Sequence, residues 1–163
     1  MDKSRVIAIK DCDMFQGDGI SVSVWFGGCH FHCDGCFNQN TWSMTAGDEY
    51  TSSTEDLILE LLTKHKGTKK NLTILGGEPL LERNSDNIIR LIKRAKPVCN
   101  KIWIWTGYEF EDIPNTDVIK EADYIVCGQY KKELHKPTIY CGSSNQQVID
   151  IQKSLTTGIK TLK

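Results

Sequence analysis

Residues 27–42 read GGCHFHCDGCFNQNTW and place three of the chain's seven cysteines within eight positions. Cys29, Cys33 and Cys36 have the spacing C-x3-C-x2-C, with His30 and His32 between the first two. Thiolates at such spacing suit three chemistries. A structural zinc ion would take a Cys33/Cys36 pair, with Cys29 and either His30 or His32 completing a closed tetrahedral set. An iron–sulfur cubane would be gripped at three corners, leaving one iron without a protein ligand. A thiol–disulfide pair at Cys33 and Cys36 should open a helix after a strand, and it needs no third thiol. The loop alone leaves cluster and zinc both open.

A second chemically suggestive stretch is Gly76-Gly77-Glu78-Pro79. Paired glycines let backbone approach a ligand closely, and a carboxylate there can accept from an amino group. A plain strand-to-helix turn is the competing explanation. The surrounding elements decide where these residues meet. Residues 21–27 (SVSVWFG) read as a strand that runs straight into the cysteines. Ser52 and Glu55 have capping-box spacing. They open a helix through TEDLILELLTKHK with an apolar face of Leu57, Ile58, Leu61 and Leu62, stopping at Gly67. Residues 71–77 (NLTILGG) form a buried-strand run. A helix over 85–96 carries Ile88, Ile89, Ile92 and Ala95 on one face and ends at Pro97. Residues 101–107 (KIWIWTG) read as a strand, 116–121 as a short helix, and 123–130 (DYIVCGQY) as a strand. Alternating strands and helices imply βαβ units around a parallel sheet, whose carboxyl edge gathers the strand ends into a site. From Lys131 onward no pattern assigns the chain.

At 163 residues the chain fits one domain, residues 1–163, with 39% hydrophobic and 25% charged residues. The net charge of −1 leaves no electrostatic footprint for nucleic acid. Lys64, Lys66, Lys69, Lys70, Lys93, Arg94 and Lys96 cluster at helix ends, where they complement the dipole; His65 belongs with them. No apolar run approaches a membrane span, and the first residues lack the pattern of a signal peptide. An odd number of cysteines crowded into one loop argues against a secreted disulfide framework, so a cytoplasmic location is expected. Cys12, Cys99, Cys127 and Cys141 are expected to be small buried hydrophobes. Trp42, Trp103 and Trp105 are expected to pack.

Five segments, GDGISVSVWFGGC, CDGCFNQNTW, LGGEPL, IWIWTGY and CGSSNQQVID, resemble the radical S-adenosylmethionine (SAM) superfamily. More narrowly they resemble its branch of activating proteins for anaerobic ribonucleoside-triphosphate reductase. The resemblance implies an α/β fold, a partial, open βα-barrel with a mainly parallel sheet. It implies that Cys29, Cys33 and Cys36 hold one [4Fe–4S] cluster, whose fourth iron is chelated by the amino and carboxylate groups of SAM. Gly76, Gly77 and Glu78 would receive the methionine amino group. Gly35, Cys36 and Phe37 would lie against SAM, with Phe37 beside adenine, unless Phe37 only anchors the loop in the core. Thr106 would touch ribose or carboxylate, or be a satisfied strand-end hydroxyl. His30 and His32 would be exposed.

The implied reaction is one-electron cleavage of SAM followed by formation of a glycyl radical on the large reductase subunit. Reduced flavodoxin or ferredoxin would be the electron donor, and neither nucleic acid nor membrane would be a partner. Alternatives are activation of another glycyl-radical enzyme, small-molecule radical chemistry, and a zinc-stabilised binding module. Two departures stand out. Gly17-Asp18-Gly19 and Ser21 replace the usual Gly-Pro-Gly and arginine, and Cys127 replaces a common aspartate.

Overall fold

The structure, a computed structural model, describes residues 3–158 and 160–163. Among these residues seven strands follow in chain order: β1 (Arg5–Asp13), β2 (Ser21–Phe26), β3 (Asp48–Glu49), β4 (Asn71–Gly76), β5 (Ile102–Trp105), β6 (Tyr124–Cys127) and β7 (Gln147–Asp150). Among the described residues four α-helices accompany them: α1 (Ser52–Thr63), α2 (Ser85–Ala95), α3 (Thr116–Glu121) and α4 (Ile151–Thr157). All strands belong to one sheet of order β3-β1-β2-β4-β5-β6-β7. Its centre, β2-β4-β5-β6, is parallel, as the strand–helix alternation requires. The β3-β1-β2 edge and β7 pair antiparallel, and the edges β3 and β7 do not pair with each other, so the sheet is open.

Register brings the functional strand ends level. Phe26 pairs with Gly76, Ile74 with Ile104, and Trp105 with Val126. The loops that follow β2, β4, β5 and β6 therefore share one edge.

The two faces of the sheet differ because successive strand residues point to opposite sides. Val22, Val24, Phe26, Leu72, Ile74, Ile102, Ile104 and Ile125 form the core with helix residues Ile58, Leu62, Ile88, Leu91, Ile92, Val118 and Ile119. Each such side chain contributes about 1.5–3 kcal/mol by leaving water. The opposite face carries Ser21, Ser23, Asn71, Thr73 and Trp103, all buried, with Trp25 and Trp105 half-buried. Loop 14–20 covers part of this face: the side-chain amide of Asn71 donates to the Asp18 carbonyl, and Ser23 Oγ donates to Asp13 Oδ2 at 2.6 Å.

Several local expectations change. The cap of α1 is Thr51, which exchanges hydrogen bonds with Thr54 one residue ahead of the expected Ser52–Glu55 box. Glu55 is instead buried, accepting from Arg90 Nε (2.9 Å), Arg94 Nη1 (2.7 Å) and the Tyr50 hydroxyl (3.2 Å). A carboxylate so well supplied with donors serves packing better than capping. Leu57 is 45% exposed, and Ile58 and Leu62 carry the buried stripe with Leu59 and Leu61 partly buried. In α2 it is Leu91, not Ile89, that joins Ile88, Ile92 and Ala95 in the buried set. Three strands, β1, β3 and β7, and helix α4 go beyond the sequence reading.

Candidate metal and cofactor site

The cysteine loop leaves β2 between two backbone clamps. On one side Gly28 N–H donates to the Thr41 carbonyl (2.7 Å) and Cys29 N–H to that of Trp42 (3.1 Å). On the other, Gly77 N–H donates to the Phe26 carbonyl (2.9 Å) and Glu78 N–H to that of Gly28 (2.7 Å). The loop and the Gly-Gly-Glu-Pro turn are thus one unit. Glycine is required at this seam. Gly76 has φ +130°, and a Cβ on Gly77 would lie 2.3 Å from the Gly28 carbonyl oxygen.

Cys29, Cys33, Cys36, Phe37, Gly76, Gly77 and Thr106 line one cavity of about 360 Å³. Gly35 and Glu78 do not line it. Gly35, at φ +72°, turns the loop beside the Lys132 side chain. Cys29 is buried, Cys33 and Cys36 are half-buried, and all three are free thiols. Burial pushes the Cys29 thiol up, while the Phe31 and His32 amides pull it back. Asn38 N–H donates to Cys36 Sγ at 3.3 Å. His30 and His32 are exposed, as expected.

Among the described residues, the three sulfurs are not gathered within 4.8 Å of one another. Asp11, Cys12 and His65 do gather within 4.8 Å. None of them lines the cavity, and Asp11 is the counter-ion of Lys70, whose side chain is only 1% exposed. A dication there would compete with a buried ammonium. Cys12 is exposed, against the expectation that it is a buried hydrophobe, whereas Cys99 and Cys127 are buried and Cys141 is half-buried.

Glu78 is fully buried, and its carboxylate faces three donors: Leu80 N–H (2.8 Å), the Thr106 hydroxyl (2.8 Å) and Gly107 N–H (2.8 Å). It ties the end of β4 to the end of β5. Burial pushes the carboxyl up to about 7 against the pull of these donors. Thr106 Oγ also accepts from Tyr108 N–H (3.2 Å), so its hydroxyl is satisfied within the protein. Phe37 is 82% exposed, which removes its alternative role as a core anchor. It stands near Tyr130 and His135, with ring centroids 6.5 and 6.4 Å away.

The rest of the wall was not picked out by sequence. Trp25 and Trp105 line the cavity as well as pack, joined by Gln16, Tyr130, Tyr140 and Gln146. Gln146 Oε1 accepts from Gly142 and Ser143 N–H, and its Nε2 donates to the Gly128 carbonyl at 2.9 Å. This fastens the Gly-Ser-Ser-Asn-Gln turn to the end of β6. That motif was the available signal, though it does not disclose the partner strand.

An open α/β sheet delivers three thiols and a glycine seam to one cavity, and residues 15–149 match the 4Fe-4S single cluster domain family, so the chain carries an iron–sulfur type of domain. The anaerobic ribonucleoside-triphosphate reductase-activating protein of Enterobacteria phage T4 is 35% identical over 142 residues, covering 86% of this chain and 90% of the relative. Proteins of that description from Escherichia coli (strain K12) and Vibrio cholerae are each 31% identical over 141 residues, 83% of this chain and 92% and 91% of theirs. This chain belongs to the family of anaerobic ribonucleoside-triphosphate reductase-activating proteins. Among the described residues no helix is long and apolar enough to cross a membrane.

Proposed function

We propose that this chain is a radical SAM enzyme, its open sheet a partial βα-barrel, that forms a glycyl radical on the large subunit of an anaerobic ribonucleoside-triphosphate reductase. The observation that carries the reading is the single cavity shared by Cys29, Cys33 and Cys36 with Gly76 and Gly77. The all-thiol donor set suits one [4Fe–4S] cluster held by three cysteines. When bound, the cluster and SAM supply one-electron cleavage of the sulfonium and, from it, a carbon radical that takes a hydrogen atom from glycine.

The protein's own task is to hold, orient and exclude water. Cys29, fixed by clamps on both sides, sets the inner corner, while Cys33 and Cys36 lie nearer the surface. Gly76 and Gly77 offer bare backbone to the methionine amino group. Glu78 serves this contact from behind, since its carboxylate is committed to Leu80, Thr106 and Gly107 and braces the turn that presents Gly76 and Gly77. Phe37, exposed on the cavity wall, covers adenine, and Gly35 lets the loop turn so that Cys36 and Phe37 both line the cavity. Thr106 contacts the ligand only through a hydroxyl already positioned by Glu78. Trp25, Trp42 and Trp105 keep water from the interior. Reduced flavodoxin or ferredoxin is the electron donor in this reading.

The test is anaerobic reconstitution with iron and sulfide, reduction, and addition of SAM. The expected result is an electron paramagnetic resonance signal of a reduced cluster that changes with SAM, with release of 5′-deoxyadenosine and methionine. Both are lost in Cys29→Ala. A colourless protein that holds zinc, takes up no iron and leaves SAM intact overturns the reading in favour of a binding module.

A further inference from the structure

On the polar face of the sheet, below the cavity, three aromatic rings surround one ammonium. Lys163 Nζ lies 5.2 Å from the Trp103 ring, 5.2 Å from that of Tyr124 and 4.9 Å from that of Tyr140. It also donates to the Asp18 carboxylate and to the Tyr140 hydroxyl (2.9 Å), and the Tyr140 hydroxyl itself donates to Asp18. The main chain brings it there. Residues 161–163 run beside β7, with Asp150 N–H donating to the Thr161 carbonyl and Lys163 N–H to that of Val148, both at 2.9 Å. Burial opposes the charge, and the Asp18 and Tyr140 contacts outweigh it, holding the ammonium above the ordinary lysine range.

This cluster reaches the cavity through Tyr140. The Tyr140 ring stacks on Trp103 at 5.3 Å and 12°, and its carbonyl accepts from Trp105 Nε1 at 2.8 Å. Tyr140 and Trp105 both line the cavity, and so does Gln16, in the loop that carries Asp18. The loop before β2 and the loop before β7 thus meet at one charge, and each supplies cavity wall.

We infer that Lys163 is a positioning residue: seated among Trp103, Tyr124 and Tyr140 and paired with Asp18, it clamps the two loops that bring Gln16, Tyr140 and Gln146 to the cavity wall. That the wall serves SAM rests on the function proposed above. A preorganised wall raises affinity by removing the ordering otherwise needed on binding, and a cation held by aromatic faces and a carboxylate supplies that order.

The test compares the full-length wild type with Lys163→Met, Lys163→Arg and Asp18→Asn, all cluster-loaded. Two readouts are needed: acrylamide quenching of tryptophan emission without ligand, and equilibrium dialysis of labelled SAM. In Lys163→Met, quenching is expected to rise and SAM affinity to fall about tenfold, with iron content unchanged. Lys163→Arg should restore affinity to within about threefold. Asp18→Asn should resemble Lys163→Met, and the double variant should be no worse than either alone, because the pair acts as a unit. Unchanged quenching in Lys163→Met overturns the clamp. Unchanged SAM affinity, even with a lower unfolding temperature, reduces Lys163 to a stabilising contact and overturns the positioning role. If quenching rises but the wild type itself binds no SAM, the clamp stands and the proposed function fails.

Discussion

Glu78 shows how one side chain couples the cavity to the fold. Its carboxylate is buried against two backbone N–H groups and one hydroxyl, and only the hydroxyl can reverse direction to accept a proton. In Glu78→Gln an amide N–H₂ must face at least one of these donors, so a loss of about 1–3 kcal/mol is expected in urea unfolding at neutral pH. The pH dependence follows from a folded-state carboxyl raised from 4.5 to about 7. Below pH 4.5 both folded and unfolded chains hold the proton. Between 4.5 and 7 the folded chain retains a proton that the unfolded chain has released, so stability falls as pH rises. Wild-type stability should therefore drop by on the order of 3 kcal/mol between pH 4.5 and 7.5, and Glu78→Gln should lack this component. A flat difference between the two proteins across that range would show that the three donors outweigh burial.

At the level of elements, two joints hold the site. One is the seam between the cysteine loop and the turn after β4. In Gly77→Ala the new methyl would sit 2.3 Å from the Gly28 carbonyl oxygen and 3.0 Å from that of Thr41. Both are backbone atoms, so the loop must move. The expected result is a loss of about 3 kcal/mol or more, with reduced iron retention after reconstitution. The second joint ties α1 to α2 through Glu55, Arg90 and Arg94. Replacing both arginines by methionine leaves a buried carboxylate with only the Tyr50 hydroxyl, so a loss of about 3–5 kcal/mol is expected. Glu55→Gln should cost less, because the arginines are half-exposed and water solvates them when the acid is gone. A urea series on the two variants checks that order. The sequence pointed to the first joint, since paired glycines at a strand end have few other uses. It did not reveal the second: Glu55 stands at capping-box spacing from Ser52, and only the approach of α2 turns it inward.

For the whole molecule, the parallel centre flanked by antiparallel edges predicts a gradient of stability. Amides of β4 and β5 lie between bonded neighbours on both sides, so they should exchange slowest with deuterated solvent. Residues 30–37, with few backbone bonds, should exchange fastest and gain protection once iron and sulfide are incorporated. The same gradient separates what could be read from residues alone. The central strands, α2, α3, the three cysteines and the glycine seam were legible because periodicity, turn residues and thiol spacing are local properties. β1 was not, since register irregularities between Val6 and Ala8 and between Lys10 and Asp13 break its alternation. β7 (QVID) runs straight into α4 (IQKSLTT) with no turn residue between them, and α4 buries Ile151 without an apolar stripe, so neither element is marked off in the sequence. The cavity wall was hidden for a different reason. Gln16 and Tyr140 come from segments without a pattern, the motif that carries Gln146 does not disclose its partner strand, and the three meet because β7 turns back beside β6. The sequence by itself determined which thiols stand close together and where the backbone must be bare, for these are properties of residue type and near neighbours. Tertiary structure alone decided that Glu78 is spent on bracing the turn, that Phe37 faces solvent and that Lys163 sits among three aromatic rings, because burial and partnership depend on which distant segments register places side by side.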